Sequence, residues 1–144
     1  MNIIWGVILT IISSLGWLGQ VISAVKPALA EKLGLTELEA EVDPAFYADV
    51  RGEVLWDAVI LWPLPAAGVL LILNNPVWVY FGMVGGGMYL YFAGRGMIAR
   101  RVMQQRGIRI GTPQSLKTIY LFLALWGLVA VITLVMAVVG LPLR

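Results

Sequence analysis

An all-α membrane protein, with four transmembrane helices closed into a bundle, is the fold that three features of this sequence predict. The first is composition. Of 144 residues, 60% are apolar and 12% are charged, against about 25% charged in a water-soluble domain. A chain so poor in charge cannot cover a water-facing surface, so lipid must be part of its solvent. The second is the spacing of apolar runs. Ile3–Val25, Val54–Leu73, Val77–Ile98 and Thr118–Leu141 each match the roughly 20 helical residues that cross a hydrocarbon core of about 30 Å. The third is charge segregation: all eight acidic residues lie between Glu31 and Asp57, and six of the ten basic ones between Arg95 and Lys117. The length is that of one domain, residues 1–144.

The first run reads as a retained helix. Ala28-Leu29-Ala30 looks like a leader-cleavage box, but no basic residue precedes the run, which is longer than the apolar stretch of a signal peptide. In the connection Lys26–Glu53, Thr36 followed by Glu39 reads as a capping box opening a short helix, with Leu35, Leu38 and Val42 as its apolar edge. Asp43-Pro44 reads as N-cap and first residue of the second long helix. That helix should begin outside the lipid, run inward past Trp56, and kink at Pro63 and Pro65. Asn74-Asn75-Pro76 then predicts a tight antiparallel hairpin between helices two and three.

Charge predicts orientation. The connection 99–117 carries Arg100, Arg101, Arg106, Arg109 and Lys117 and no acid, and basic loops of this length stay in the cytoplasm. With four crossings, connections 26–53 and 99–117 are then cytoplasmic, while the 74–76 turn and both termini lie on the other side. The multi-pass arrangement brings the acidic and basic segments to one membrane face.

Composition also excludes chemistry. The chain has no cysteine and no histidine, so disulfides, thiolate nucleophiles, haem-ligating imidazoles and His/Cys zinc sites are ruled out. No cofactor and no nucleic-acid partner is expected. The expected partners are the lipid bilayer and either a second copy of the chain or another membrane protein.

Helix faces locate the candidate sites. Small and weakly polar residues mark helix contacts in lipid. Ser13, Gly16, Gln20 and Ser23 share a sector of the first helix; Gly82, Gly85, Gly86, Tyr89, Ala93 and Gly96 share one on the third, prolonged by Arg100. Close helix packing is the favoured reading of the glycine stripe; a pore or substrate path is the alternative. Trp17, Trp62, Tyr89 and Trp126 fall about eight residues inside the helix ends, roughly 12 Å deep at 1.5 Å per residue, too deep for an interfacial belt. With Gln20 as a polar partner they form the candidate ligand-binding layer, suited to a lipid-like or quinone-like apolar molecule.

The second candidate is a charged cytoplasmic face. Asp49, Glu53 and Asp57 recur every fourth residue and line one helix face, with Arg51 opposite. Counted from the Asn-Asn-Pro turn, Asp57 and Arg95 lie at matched depth, and Glu53 and Arg100 less closely so. Mutual ion pairing is the favoured reading; a hard-cation site of oxygen ligands is the alternative, so any metal stays unassigned. The stripe invites comparison with the metal-binding aspartates of CDP-alcohol phosphotransferases, but their Asp-Gly-x-x-Ala-Arg segment is missing, and no family is assigned. The expectation is a non-catalytic protein that binds an apolar ligand or partner helices in the bilayer. A small oligomeric channel or transporter and an interfacial metal-dependent enzyme are the alternatives.

Overall fold

The computed structural model describes residues 2–141, which are helical apart from turns and one bridge pair, Val42 with Ile110. The helices are α1 (Asn2–Val25), α2 (Pro27–Lys32), α3 (Pro44–Ile60), α4 (Pro63–Ile72), α5 (Trp78–Gln105) and α6 (Pro113–Gly140). Proline opens α2, α3, α4 and α6, positions where its missing N–H would have had no intrahelical partner. The chain ends, for which an outward placement is expected, include Met1 and residues 142–144, outside the described residues.

Three helical stretches are long and apolar enough to cross a membrane: Ile3–Val25, Pro44–Ile72 and Pro113–Gly140. Their outer faces are apolar and uncovered. Ile4 is 69% exposed, Leu121 69% and Val139 81%, the apolar surface expected of helices of this length that meet a membrane. This is a membrane protein. At 28 residues α5 is as long as α6, but its glycines, tyrosines and Arg95 lower its hydropathy. The reason is visible in its packing: Gly82, Gly85, Gly86, Tyr89, Ala93, Gly96 and Arg100 are all buried, and α5 packs chiefly against α6 and α4.

The glycine stripe is filled by neighbouring chain. A Cβ at Gly85 would lie 2.5 Å from the Leu64 nitrogen and 2.7 Å from its Cα, and one at Gly86 would lie 2.9 Å from Leu134 Cγ. On the other side of α4, a Cβ at Gly68 would lie 2.7 Å from the Thr10 nitrogen. Thus α1, α4 and α5 approach backbone to backbone, the mode that small residues permit in lipid.

The stretch Pro44–Ile72 is interrupted rather than merely kinked. Pro63 and Pro65 cannot donate to the carbonyls four residues earlier, so α3 stops at Ile60 and α4 begins after Leu61 and Trp62. After α4, Asn74 adopts φ 51°, with Asn74 N–H bonded to Leu71 O and Asn75 N–H to Leu70 O. This is a Schellman ending with asparagine as the left-handed residue. Asn75 Oδ1 accepts from the Val77 N–H at 3.0 Å and closes the turn into α5, which packs along α4.

The connection 26–43 departs from expectation. The short helix is α2, earlier than the predicted box, and Thr36 caps nothing. Its hydroxyl meets Glu37 Oε2 at 3.5 Å, and only a 3-10 turn, Glu39–Glu41, follows. The cause is tertiary: Glu37, 5% exposed, is drawn inward to an arginine and cannot sit on the first turn of a surface helix. Asp43 does precede α3 with Pro44 at the first helical position, but its side chain makes no cap bond. Instead Asp43 Oδ2 accepts from the Arg109 N–H, and Asp43 N–H donates to Arg109 O, tying the two long connections together.

Two apolar clusters result. One lies within the membrane stretch and gathers Leu9, Leu61, Leu64, Ala67, Tyr89, Phe92, Leu123, Val129 and Ala130. The other lies beneath the charged segments and gathers Val42, Phe46, Val50, Val54, Ile110 and Leu116.

Candidate ligand cavity and its charged cap

The ion pairs of the cap differ from those that depth matching predicts. Arg95 does not pair with Asp57. Its Nη2 donates to Asp49 Oδ1 at 2.8 Å, and its Nη1 lies 2.7 Å from Glu53 Oε1 as an ion pair outside hydrogen-bond geometry. A long stem lets the guanidinium reach along the helix toward the polar end, one and two turns past Asp57. Arg100 pairs with Glu37 rather than Glu53: Nε and Nη2 both reach Glu37 Oε1, at 3.2 and 3.0 Å, Nη1 donates to Gly96 O, and the group lies 5.4 Å from the Phe46 ring centroid. Asp57 is left 5% exposed, with Oδ2 buried and unpartnered.

These pairs bear on the cation alternative. Arg95 occupies the place between Asp49 and Glu53 that a metal would need. Among the described residues, no three Asp or Glu side chains converge in a metal-binding group.

Three of the four aromatics of the layer donate to backbone carbonyls of neighbouring helices. The Tyr89 hydroxyl donates to Ser13 O at 2.5 Å, Trp126 Nε1 to Ile12 O at 3.0 Å, and Trp17 Nε1 to Ala58 O at 2.9 Å. The last contact supplies a donor to one of the terminal carbonyls of α3, which the break before α4 deprives of helical partners. Arg51 plays the same part for α1, donating to Ser23 O and Ala24 O. Trp62 is 46% exposed and meets Phe81 edge-on at 5.8 Å. The four aromatics therefore do not enclose one pocket.

A cavity of about 230 Å³ lies beside them, bounded by α1, α3, α5, α6 and the 34–37 turn. Of the sequence-derived candidates, Gln20, Trp126, Glu53 and Arg100 line it; Trp17, Trp62, Tyr89, Asp49, Asp57 and Arg95 do not. Its apolar lining includes Leu15, Val50, Val54, Phe92, Phe122, Leu123 and Trp126, and its polar lining includes Gln20, Thr36, Glu37, Glu53 and Arg100. Phe122 stacks on Trp126 at 5.6 Å, and Phe92 meets the same ring at 5.6 Å. Leu15 and Phe122, on α1 and α6, are 63% and 43% exposed, so the cavity has a rim on the lipid-facing surface. Gly16 supports it by letting the Trp126 and Tyr89 rings lie against α1, where a Cβ would be 3.0 Å from Trp126.

Glu37, Thr36, Phe92 and Phe122 are lining residues that pattern reading misses. Phe122 has a signal, four residues before Trp126 on one helix face. Glu37 has none, because it belongs to an aperiodic turn.

Fold and surface define an integral membrane protein with an amphipathic internal cavity. Comparison with protein-family models, with curated proteins and with solved structures gave no match for the chain.

Proposed function

We propose that this protein is a four-span membrane bundle that binds a lipid-like amphiphile non-catalytically. The observation that carries the proposal is the cavity's mixed lining: aromatic and aliphatic side chains from four helices, together with the Gln20 amide, the Glu37 and Glu53 carboxylates and the Arg100 guanidinium. An apolar pocket with a few convergent polar groups is the usual form of a small-molecule site. Here the apolar part faces a rim on the lipid surface, which suits entry of a chain from the bilayer.

The fourth span in this reading is α5. Its 28 residues extend about 42 Å at 1.5 Å per residue, and it lies between α4 and α6. A conducting path along its glycine face is disfavoured, because Leu64 and Leu134 occupy that face. The basic 99–117 connection supports placing that side in the cytoplasm.

Gly19 provides the test. It lines the cavity, and a Cβ there would meet nothing within 4 Å, so Gly19→Phe brings a ring to the cavity from a position where the first added carbon displaces no neighbour. Lipids extracted from the purified protein are quantified by mass spectrometry. The wild type should retain an amphiphile near one per chain, and Gly19→Phe should lose it while keeping its thermal midpoint. Equal retention by both proteins would mean that any bound lipid sits elsewhere.

A further inference from the structure

We infer that the amphiphile of the cavity is a cation, a single apolar chain carrying one protonated amino group. The inference rests on the cavity being a ligand site, as proposed above.

Two carboxylates and one guanidinium line the cavity, those of Glu37, Glu53 and Arg100, and no other charged side chain among the described residues does. Arg100 is engaged with Glu37, its Nε and Nη2 both reaching Oε1. Glu53 depends on Arg95, which it shares with Asp49. The sharing is unequal. Arg95 Nη2 donates to Asp49 Oδ1 at 2.8 Å, whereas Nη1 approaches Glu53 Oε1 at 2.7 Å outside hydrogen-bond geometry, and that oxygen is buried without a donor. Asp49 also has its surroundings to draw on, since its side chain is 33% exposed and that of Glu53 only 11%. Even with Asp57 left out, the carboxylates of Glu37, Asp49 and Glu53 meet the guanidinium groups of Arg95 and Arg100 alone. The surplus negative charge falls on Glu53, which lines the cavity.

A surplus of this kind sorts headgroups by charge. A phosphate or carboxylate would find unused N–H groups on Arg100, but it would stand among two carboxylates for one guanidinium, and like charges repel most where water is excluded. A hydroxyl would leave the surplus uncompensated. A protonated amine brings the positive charge and three N–H donors. Acceptors are at hand besides Glu53: Glu37 Oε2, which has a long 3.5 Å contact from Thr36, and Gln20 Oε1, which is buried without a partner. Phe92, Phe122 and Trp126 add an aromatic lining, a surface that favours both an alkyl chain and a cation. At about 230 Å³ the cavity is below the roughly 300–1,000 Å³ of drug-sized sites, so it suits one chain rather than two.

The test uses the full-length protein in nanodiscs of zwitterionic lipid at neutral pH, and three probes with the same chain: bromine-terminated dodecylamine, dodecanol and dodecyl phosphate. Bromine quenches tryptophan at close range, and Trp126 lines the cavity, so Trp126→Phe identifies the reporting component. The amine should give saturable quenching at a mole fraction about tenfold below that of the alcohol, the order of effect of one partly shielded opposite charge, and the phosphate should bind most weakly. Glu53→Gln should bring the amine close to the alcohol. Glu41→Gln, which removes an exposed carboxylate outside the cavity, should leave the preference as it is. Saturable quenching led by the alcohol or the phosphate, or equal for all three, would overturn the cation assignment and leave the cavity as a ligand site. An amine preference that Glu41→Gln lowers as much as Glu53→Gln does would overturn it too, as an effect of surface charge. Absence of saturable quenching by any probe would overturn the cavity reading itself. The probe comparison on the wild type decides between these readings even where a variant fails to fold.

Discussion

Replacing Gly85 with alanine adds a single methyl group where α5 lies against the backbone of α4. That methyl would lie 2.5 Å from the Leu64 nitrogen, 2.7 Å from its Cα and 2.9 Å from its Cβ. Ordinary contact begins near 3.4 Å, so α4 and α5 must part by roughly 1 Å. The obstacle is backbone, and it cannot swing aside. Leu64 is 0% exposed, and α4 is held against α1 on its other face through Gly68 and Gly6. Overpacking costs about 1–3 kcal/mol, and the upper half of that range applies where backbone must move. Gly87 is the internal control: it lies two residues along the same helix, and a Cβ there meets nothing within 4 Å. Gly87→Ala should leave stability unchanged or raise it by up to about 1 kcal/mol through helix propensity. Thermal unfolding of the two variants in one detergent is the assay, and Gly85→Ala should melt several degrees lower. Equal midpoints would refute the backbone contact between α4 and α5.

Three further outcomes are expected. Glu37→Gln and Arg100→Gln should each destabilise by about 3–5 kcal/mol, the cost of removing one member of a buried ion pair. Their double-mutant cycle should show coupling of about 1–3 kcal/mol, and strict additivity would mean that the two groups do not meet. Asp57→Asn should be neutral or stabilising in a thermal scan, because it removes a buried charge without a bonded partner while Arg95 keeps Asp49 and Glu53; Arg95→Gln should destabilise, and equal losses for the two would place a partner on Asp57. A cysteine at Asn75 should label from outside intact cells, and labelling only after permeabilisation would reverse the proposed orientation.

The helical class and the α5 stripe were legible in the sequence for a physical reason. Small residues recurring on one helix face favour close helix contact in lipid, and Gly82, Gly85, Gly86 and Gly96 share such a face, whereas Gly87 and Gly94 lie off it, where a Cβ would meet nothing within 4 Å. The interruption after Ile60 was also written locally, since Pro63 and Pro65 remove the bonds that a continuous helix needs. Partner choice was not legible. Depth along a helix places an α-carbon, but Arg95 delivers its charge several ångströms away, and so its partners are Asp49 and Glu53 rather than Asp57. The Glu37–Arg100 pair was hidden because Glu37 follows no periodic pattern. The donors that satisfy the ends of α1 and α3, Arg51 and Trp17, depend on where helices end in three dimensions. The cavity depends on a turn, residues 34–37, that no periodicity describes.

The tie between Asp43 and Arg109, together with the Val42–Ile110 bridge, has a consequence for the order in which the molecule assembles. The second apolar cluster takes Val42, Phe46, Val50 and Val54 from one connection and helix, and Ile110 and Leu116 from a stretch synthesised some sixty residues later. While a ribosome is still making α5, the early half of that cluster and the Glu37 carboxylate have nothing to close upon. Only when the chain has passed Leu116 can the cap zip shut. A nascent chain arrested before Arg100 should therefore leave the 26–53 segment open to added protease, and one arrested beyond α6 should protect it.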